Sequence, residues 1–204
     1  MVEIPTLPQV PTLETARLIL RPPIAEDAQA HAELMADPLT ARFITLDGRP
    51  QDASAAWRSF ATIVGHWSLR GFGFFSILHK QTGAWIGRTG PWMPEGWPGL
   101  EVGWSCHPAH RGQGYITEAA VAAMAWTFET RRCDRIISLI RPDNGLSQAV
   151  ARRLGEAVCG RTVLFGFETD IWMIERPAFQ ARWPAAGETI RRAWPTPHKP
   201  DNRL

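Results

Sequence analysis

Apolar positions along the 204-residue chain alternate between two periods, and the switches between those periods divide it into elements. Residues 17–21 (RLILR) are a short apolar run stopped by Pro22 and Pro23, which reads as a strand. Residues 24–37 read as a helix with Glu26 and Asp27 in its first turn, where the helix dipole favours anions, and Pro38 is expected to end it. A second helix is predicted over 52–69, with Trp57, Phe60, Ala61, Val64 and Trp67 or Ser68 near one face, and Gly71 and Gly73 break it. Residues 74–79 and 84–89 form a predicted hairpin around Lys80-Gln81-Thr82-Gly83. A Pro-, Gly- and Trp-rich stretch at 90–99 reads as a loop, and 100–106 as the next strand. Gly112, Gln113 and Gly114 open a long helix to about Thr130, whose spacing sets Ile116, Ala120, Met124 and Phe128 on one stripe. A strand at 135–140, a helix at 146–154 closed by Gly155, and paired strands at 157–164 and 167–175 around Phe165-Gly166 complete the pattern. The order βααβββαβαββ predicts one mixed α/β domain.

Composition adds boundaries. Three prolines without periodicity mark 1–12 as an extended arm, 13–176 as the domain, and the proline-rich 177–204 as a tail holding one short helix. The balance of 45% hydrophobic and 21% charged residues is that of a soluble globular chain. Residues 1–100 carry 8 basic and 9 acidic side chains and residues 101–204 carry 14 and 11, so the halves are −1 and +3. That asymmetry is too small for nucleic-acid binding, yet it suits a small polyanion in the second half. Cys106, Cys133 and Cys159 follow no metal or redox spacing and read as reduced thiols. The first fourteen residues lack a basic n-region and an apolar h-region, and no apolar run is long enough to span a bilayer. A cytoplasmic location with no membrane partner is therefore expected.

The chemistry concentrates in Glu101 to Ala120, EVGWSCHPAHRGQGYITEAA. A strand runs to a proline, a short basic loop with two glycines follows, and a helix begins at once. Backbone N–H groups at 111–115 would converge on one spot at the helix N-terminus, and the glycines let a ligand approach closely. Pyrophosphate is the natural guest of such a cradle. A dinucleotide-binding GxGxxG is a poorer reading, because His107 to Arg111 intervene after the strand and Thr117 holds the third glycine position. A glycine turn without a ligand is the plain alternative. A second stretch, RPDNGLSQAVARRLG at 141–155, puts Asn144 at a helix cap and Ser147 one turn in, sharing a face with Val150, Ala151 and Leu154. Two strands that each feed a helix would set both helix starts on one side of the sheet, with room for a ligand between the strand ends.

These stretches resemble the central motif of the GNAT acetyltransferases and their Asn/Ser motif before the last helix. The opening TARLILRP at 15–22, the acidic pair Glu26-Asp27 and RGQGYITEA at 111–119 are similar to the RimJ/RimL-like branch. The resemblance covers roughly 13–175. It implies a single domain around a twisted mixed sheet of about seven strands flanked by helices, with the strand at 102–106 splayed from that at 135–140. It implies acetyl-CoA as co-substrate, with the pyrophosphate cradled by Arg111, Gly112, Gln113, Gly114 and Tyr115. Backbone groups at Trp104, Ser105 and Cys106 would bind pantetheine and the thioester, and Asn144 and Ser147 would face the cofactor. Two departures stand out: Ala109 replaces the Gln or Arg common in that position, and Tyr115 in the loop is the sole tyrosine, so the tyrosine acid of many relatives is missing from the last helix. Glu101 is then the candidate base, Ser147 or water the thiolate's partner, and a backbone N–H near Ser105 the oxyanion donor. The acceptor would be an amine, either a protein N-terminus or a small molecule. Trp92 and Trp97 are candidate acceptor-pocket walls, while Trp57 and Trp67 read as core. No metal is expected. A homodimer through a strand edge or the tail, and a non-catalytic acyl-CoA-binding module on the same fold, remain open.

Overall fold

The computed structural model describes residues 11–188 and 190–193. Most of the expected N-terminal arm and the end of the tail, Trp194 included, lie outside the described residues. The strands are β1 (Pro11–Glu14), β2 (Leu18–Arg21), β3 (Phe75–His79), β4 (Trp85–Trp92), β5 (Glu101–Cys106), β6 (Arg135–Ile140), β7 (Ala157–Leu164), β8 (Phe167–Glu175) and β9 (Ile190–Ala193). The helices are α1 (Ala28–Ala36), α2 (Pro38–Ile44), α3 (Ala53–Arg70), α4 (Tyr115–Arg131), α5 (Gly145–Leu154) and α6 (Arg176–Arg182). The strands form one sheet in the order β7-β8-β6-β5-β4-β3-β2-β1-β9. The mixed α/β class holds, but the sheet is wider than the seven strands expected, because β1 and β9 pair at one edge. Both are four residues long and flank proline-rich sequence, so neither carries an alternation long enough to read.

Every neighbouring pair of described strands is antiparallel except β5 and β6, which the helix α4 connects in parallel. Helix α4 crosses this region with Ile116, Ala120, Met124 and Phe128 all buried, the expected stripe. It meets Phe75, Ile77, Ile86, Val102 and Ile136 from the sheet in one core. Burying such side chains supplies about 1.5–3 kcal/mol each and fixes the strand faces. Val102 points into this core, so Glu101, Gly103 and Ser105, one residue out of phase, face the opposite side.

Three local readings change. Pro38 does not end the helical region; it opens α2 as the first helical residue, where its missing N–H costs nothing, and Asp37 caps the helix by accepting from Thr40 N at 2.8 Å. On α3 the buried stripe is Ala56, Phe60, Ile63 and Trp67, while Trp57 is 64% exposed and Val64 is also on the outside. Both stripes are apolar in sequence, and packing of α3 on α1 selects between them. Strand β4 continues through Gly90, Pro91 and Trp92, so the loop starts later than expected. β3 stops opposite Thr89, which leaves β4 with a single flanking strand at Pro91, a position where proline is tolerated.

Candidate active site

Strands β5 and β6 are in register at one pair only, Glu101 opposite Ile137. Ile137 N donates to Leu100 O at 3.1 Å, and at the next step a side chain intervenes, with Ser138 Oγ 2.9 Å from Val102 O. At the step after that, Leu139 N reaches the Glu101 carboxylate at 3.4 Å instead of a β5 carbonyl. The strands therefore part beyond Glu101, as the resemblance implied. Alternation along β5 turns the backbone groups of Leu100, Val102, Trp104 and Cys106 toward this opening. Ser105 points the other way, with its carbonyl so close to Gly87 that a Cβ there would lie 2.1 Å from it. The backbone groups free to face the opening are therefore those of Trp104 and Cys106, on either side of Ser105.

After a short turn at Pro108–His110 the chain passes Gly112 at φ 77° and Gly114 at φ 79°, and α4 begins at Tyr115. Both φ values lie in the left-handed region that side-chain-bearing residues rarely adopt. Among the described residues, the N–H groups of Gly112, Gln113 and Gly114 donate to no acceptor. The loop is braced from β2's approach: Arg17 donates to Gln113 O at 3.1 Å and to Glu118 at 2.7 Å, and it covers the Tyr115 ring at 4.5 Å. Glu118 also accepts from Thr15, so it serves as the brace rather than as an acid. Across the loop Arg111 binds Asp37 and Thr40, tying the loop to the start of α2. Burial pushes the Asp37 carboxyl up, but the Arg111 and Thr40 contacts outweigh it and hold the group below the usual carboxylate range.

Two cavities meet at the splay. The first, of about 490 Å³, lies between the α4 loop, α2 and the start of α5. All the expected cofactor residues line it except Gln113, whose side chain is exposed and whose carbonyl serves Arg17. Asn144 caps α5, accepting from Ser147 N at 3.2 Å. The Cys106 thiol is pushed up to about 11 by burial, which makes it a wall and not a nucleophile. The second cavity, of about 650 Å³, opens on the other side toward α1, α2 and α3. Phe43, Ile44, Trp104, Ser105, Asn144 and Ser147 line both.

Glu101 lies in the second cavity, 8% exposed. Burial pushes its pKa up to about 7, against the opposing pull of the Trp97 indole N–H at 2.6 Å, the Leu139 N–H and the Arg88 charge. Ser147 stands at the junction, and its hydroxyl makes no hydrogen bond among the described residues. Trp92 and Trp97 line the second cavity, Trp67 is in the core, and Trp57 is on the surface, contrary to its expected core role.

Two ionisable groups inside the fold were not singled out from sequence. Arg88 on β4 lines the second cavity, and Glu156, 4% exposed, sits between α5 and β7 with Oε1 2.8 Å from Ser138 Oγ. Burial pushes Glu156 up to about 8, and the nearby Glu101 adds to the rise. The Ser138 hydroxyl lies within donating distance of both Val102 O and Glu156 Oε1, and Glu156 Oε2 is buried without a hydrogen-bond partner among the described residues. The available signal was a lone charge inside an otherwise apolar strand, WIGRTGPW for Arg88.

A splayed parallel pair, a left-handed glycine loop at a helix start and two cavities meeting between them define an acyl-CoA-dependent acetyltransferase architecture. Residues 17–156 match the model described as Acetyltransferase (GNAT) domain, and the chain belongs to that family, in its RimJ/RimL-type group. Family membership implies use of acetyl-CoA and an amine acceptor. The chain is 30% identical over 135 residues to the uncharacterized N-acetyltransferase p20 of Bacillus licheniformis, covering 65% of this chain and 75% of that protein. It is 35% identical over 78 residues to the uncharacterized protein YkkB of Bacillus subtilis (strain 168), covering 37% of this chain and 45% of YkkB, less than half of that relative's length. Among solved structures it is similar to an acetyltransferase from Agrobacterium tumefaciens str. C58, with TM-score 0.71 and 32% identity over 86% of this chain and 97% of that one.

Proposed function

We propose that the chain transfers the acetyl group of acetyl-CoA to an amine by direct attack, with both reactants bound at once. The observation that supports this most is the junction: two cavities share Trp104, Ser105, Asn144 and Ser147, and a carboxylate with a pKa near 7 lines the second. The unpaired N–H groups of Gly112, Gln113 and Gly114 fit the pyrophosphate of acetyl-CoA, and the open edge of β5 fits pantetheine. Bound acetyl-CoA would supply the acetyl group as a thioester.

An ammonium cannot attack, so a proton must leave the amine first. An α-amine has a pKa of about 8 and a lysine about 10.4, so Glu101 at about 7 is matched to an α-amine or an amine of similar basicity. Glu101 accepts that proton, directly or through one water. As the C–N bond forms, negative charge grows on the carbonyl oxygen, and the N–H groups of Trp104 and Cys106 are positioned to donate to it. The nitrogen of the tetrahedral intermediate gives up its second proton to solvent, the C–S bond breaks with the Ser147 hydroxyl donating a hydrogen bond to the departing thiolate, and the thiolate takes up a proton from solvent. The acceptor is either a protein N-terminus or a small amine. Among the described residues no helix is long and apolar enough to cross a membrane.

Isothermal titration with acetyl-CoA, followed by thiol release across an amine panel, tests the reading. Micromolar binding with amine-dependent thiol release is expected. Binding without turnover for any amine would leave the non-catalytic module, and failure to bind any CoA species would remove both.

A further inference from the structure

The structure assigns a second recognition element to the acceptor. Arg88 lies deep among protein atoms, and the surface it exposes fronts the second cavity. Its Nε is buried without a hydrogen-bond partner. No hydrogen bond or ion pair of its guanidinium occurs among the described residues; it stands over the Phe74 ring, 4.7 Å from the centroid. No neighbour pairs with it directly. His31 is kept neutral down to about pH 3, first by burial and then by the Arg88 charge itself, and its Nε2 pairs with Ser59 Oγ at 2.8 Å. Glu101 is close enough to be felt electrostatically, but its carboxylate is engaged by Trp97 and Leu139 N–H and forms no ion pair with Arg88. A buried guanidinium left without a partner is costly, and its planar fork of donors matches a carboxylate in a bidentate pair.

We propose that the acceptor is a small free molecule bearing a carboxylate beside its amine, and that Arg88 holds the carboxylate at the floor of the cavity. This rests on the transferase reading above. Register supports the placement: Arg88 is opposite Ser105, the residue between Trp104 and Cys106 on the open edge of β5, so an anion on Arg88 sits close to the reacting end. The walls define the rest of the molecule. Phe74 stacks on Trp92 at 4.9 Å, and Trp97 packs against Phe165 at 5.9 Å, which favours an apolar or aromatic body. A cavity of about 650 Å³ accommodates a molecule of amino-acid size with its waters.

Binding and turnover test this separately. With CoA present, the fluorescence of the cavity tryptophans reports titration by 3-phenylpropionate and by 3-phenylpropionamide, which differ only in charge and hydrogen bonding. Wild-type protein is expected to bind the carboxylate about tenfold tighter or more, the scale of a charge-assisted hydrogen bond. Arg88→Gln removes the difference and Arg88→Lys restores part of it, with acetyl-CoA binding as the control for folding. Equal binding of the two probes by wild type, or a preference that survives in Arg88→Gln, overturns the proposal. In thiol release, phenylalanine is expected to exceed phenethylamine by a similar factor. A C-terminally amidated peptide that starts with phenylalanine and carries one aspartate is expected to be the poorer acceptor, and its preference over phenylalanine would overturn the assignment to a small molecule. If no amine is turned over while the carboxylate preference persists, the transferase reading fails and the anion site stands.

Discussion

The two cavities share a wall but are constructed by opposite means. At the first, the groups offered to a ligand are largely main chain: the N–H groups of the Gly112–Gly114 loop and the free edge of β5 at Trp104 and Cys106. At the second, side chains from distant elements converge, among them Phe43 of α2, Arg88 of β4, Glu101 of β5 and Phe165 between β7 and β8. Main-chain donors serve any ligand with the right phosphate geometry and change little when side chains are replaced. A side-chain cavity can be rebuilt by a few substitutions. In the function proposed above, the first would take a cofactor common to the family and the second an acceptor particular to this chain.

Substitutions on the two sides should separate cleanly. The largest effect is expected at Glu101. Glu101→Gln should lower kcat about a hundredfold or more, the range of general-base contributions, while acetyl-CoA binding stays unchanged. Because the base form is the deprotonated one, wild-type activity should rise with pH through about 7, and the variant should lose that limb. A pH–rate profile that Glu101→Gln leaves unaltered would move the base elsewhere. Next comes Gly114→Val, on the main-chain side. A β-branched side chain at φ 79° costs about 1–2 kcal/mol and tilts the loop N–H groups, so calorimetry should find acetyl-CoA affinity down by about tenfold. Binding of an acceptor analogue should be spared. Ser147→Ala, at the junction, should reduce kcat by about tenfold with smaller changes in either KM, since a hydrogen bond to a charged group is worth roughly 1.5–3 kcal/mol. An effect confined to the KM for acetyl-CoA would demote Ser147 to a wall.

The smallest effect concerns stability. A carboxyl whose pKa is raised on folding binds its proton more tightly in the native state. Glu156 therefore favours the fold fully below its ordinary value of 4.5 and loses that contribution as pH rises through about 8. Glu156→Gln, which keeps the side chain's size and its acceptor for Ser138 but cannot ionise, should flatten this decline and raise the melting temperature at pH 9 by a few degrees relative to wild type. Thermal scans at pH 5 and pH 9 read the difference directly. Identical pH dependence in both proteins would mean Glu156 is already ionised.

The legibility of the molecule follows the same divide. The α4 loop could be read because its information is local: two glycines between a strand and a helix-forming run favour left-handed turns and leave N–H groups free at the helix start. Asn144 was readable as a cap for the same reason. The face of α3 was not, since Trp57, Ala61 and Val64 form as apolar a stripe as Ala56, Phe60, Ile63 and Trp67, and contact with α1, the sheet and α4 distinguishes them. Asp37-Pro38 was misread because a proline that stops one helix is equally suited to start the next.

By itself the sequence determined most of the periodic elements, the buried positions 116, 120, 124 and 128 of α4 and the glycine loop at its start, since each depends on neighbours within a few residues. Only the tertiary structure decided that β1 and β9 extend the sheet, that Trp104 and Cys106 rather than Ser105 face the splay, and that Glu101 lies within electrostatic reach of both Arg88 and Glu156. Burial and electrostatic coupling depend on which distant segments pack together, and that packing sets the pKa values and the unpaired charge on which the chemistry of the acceptor side rests.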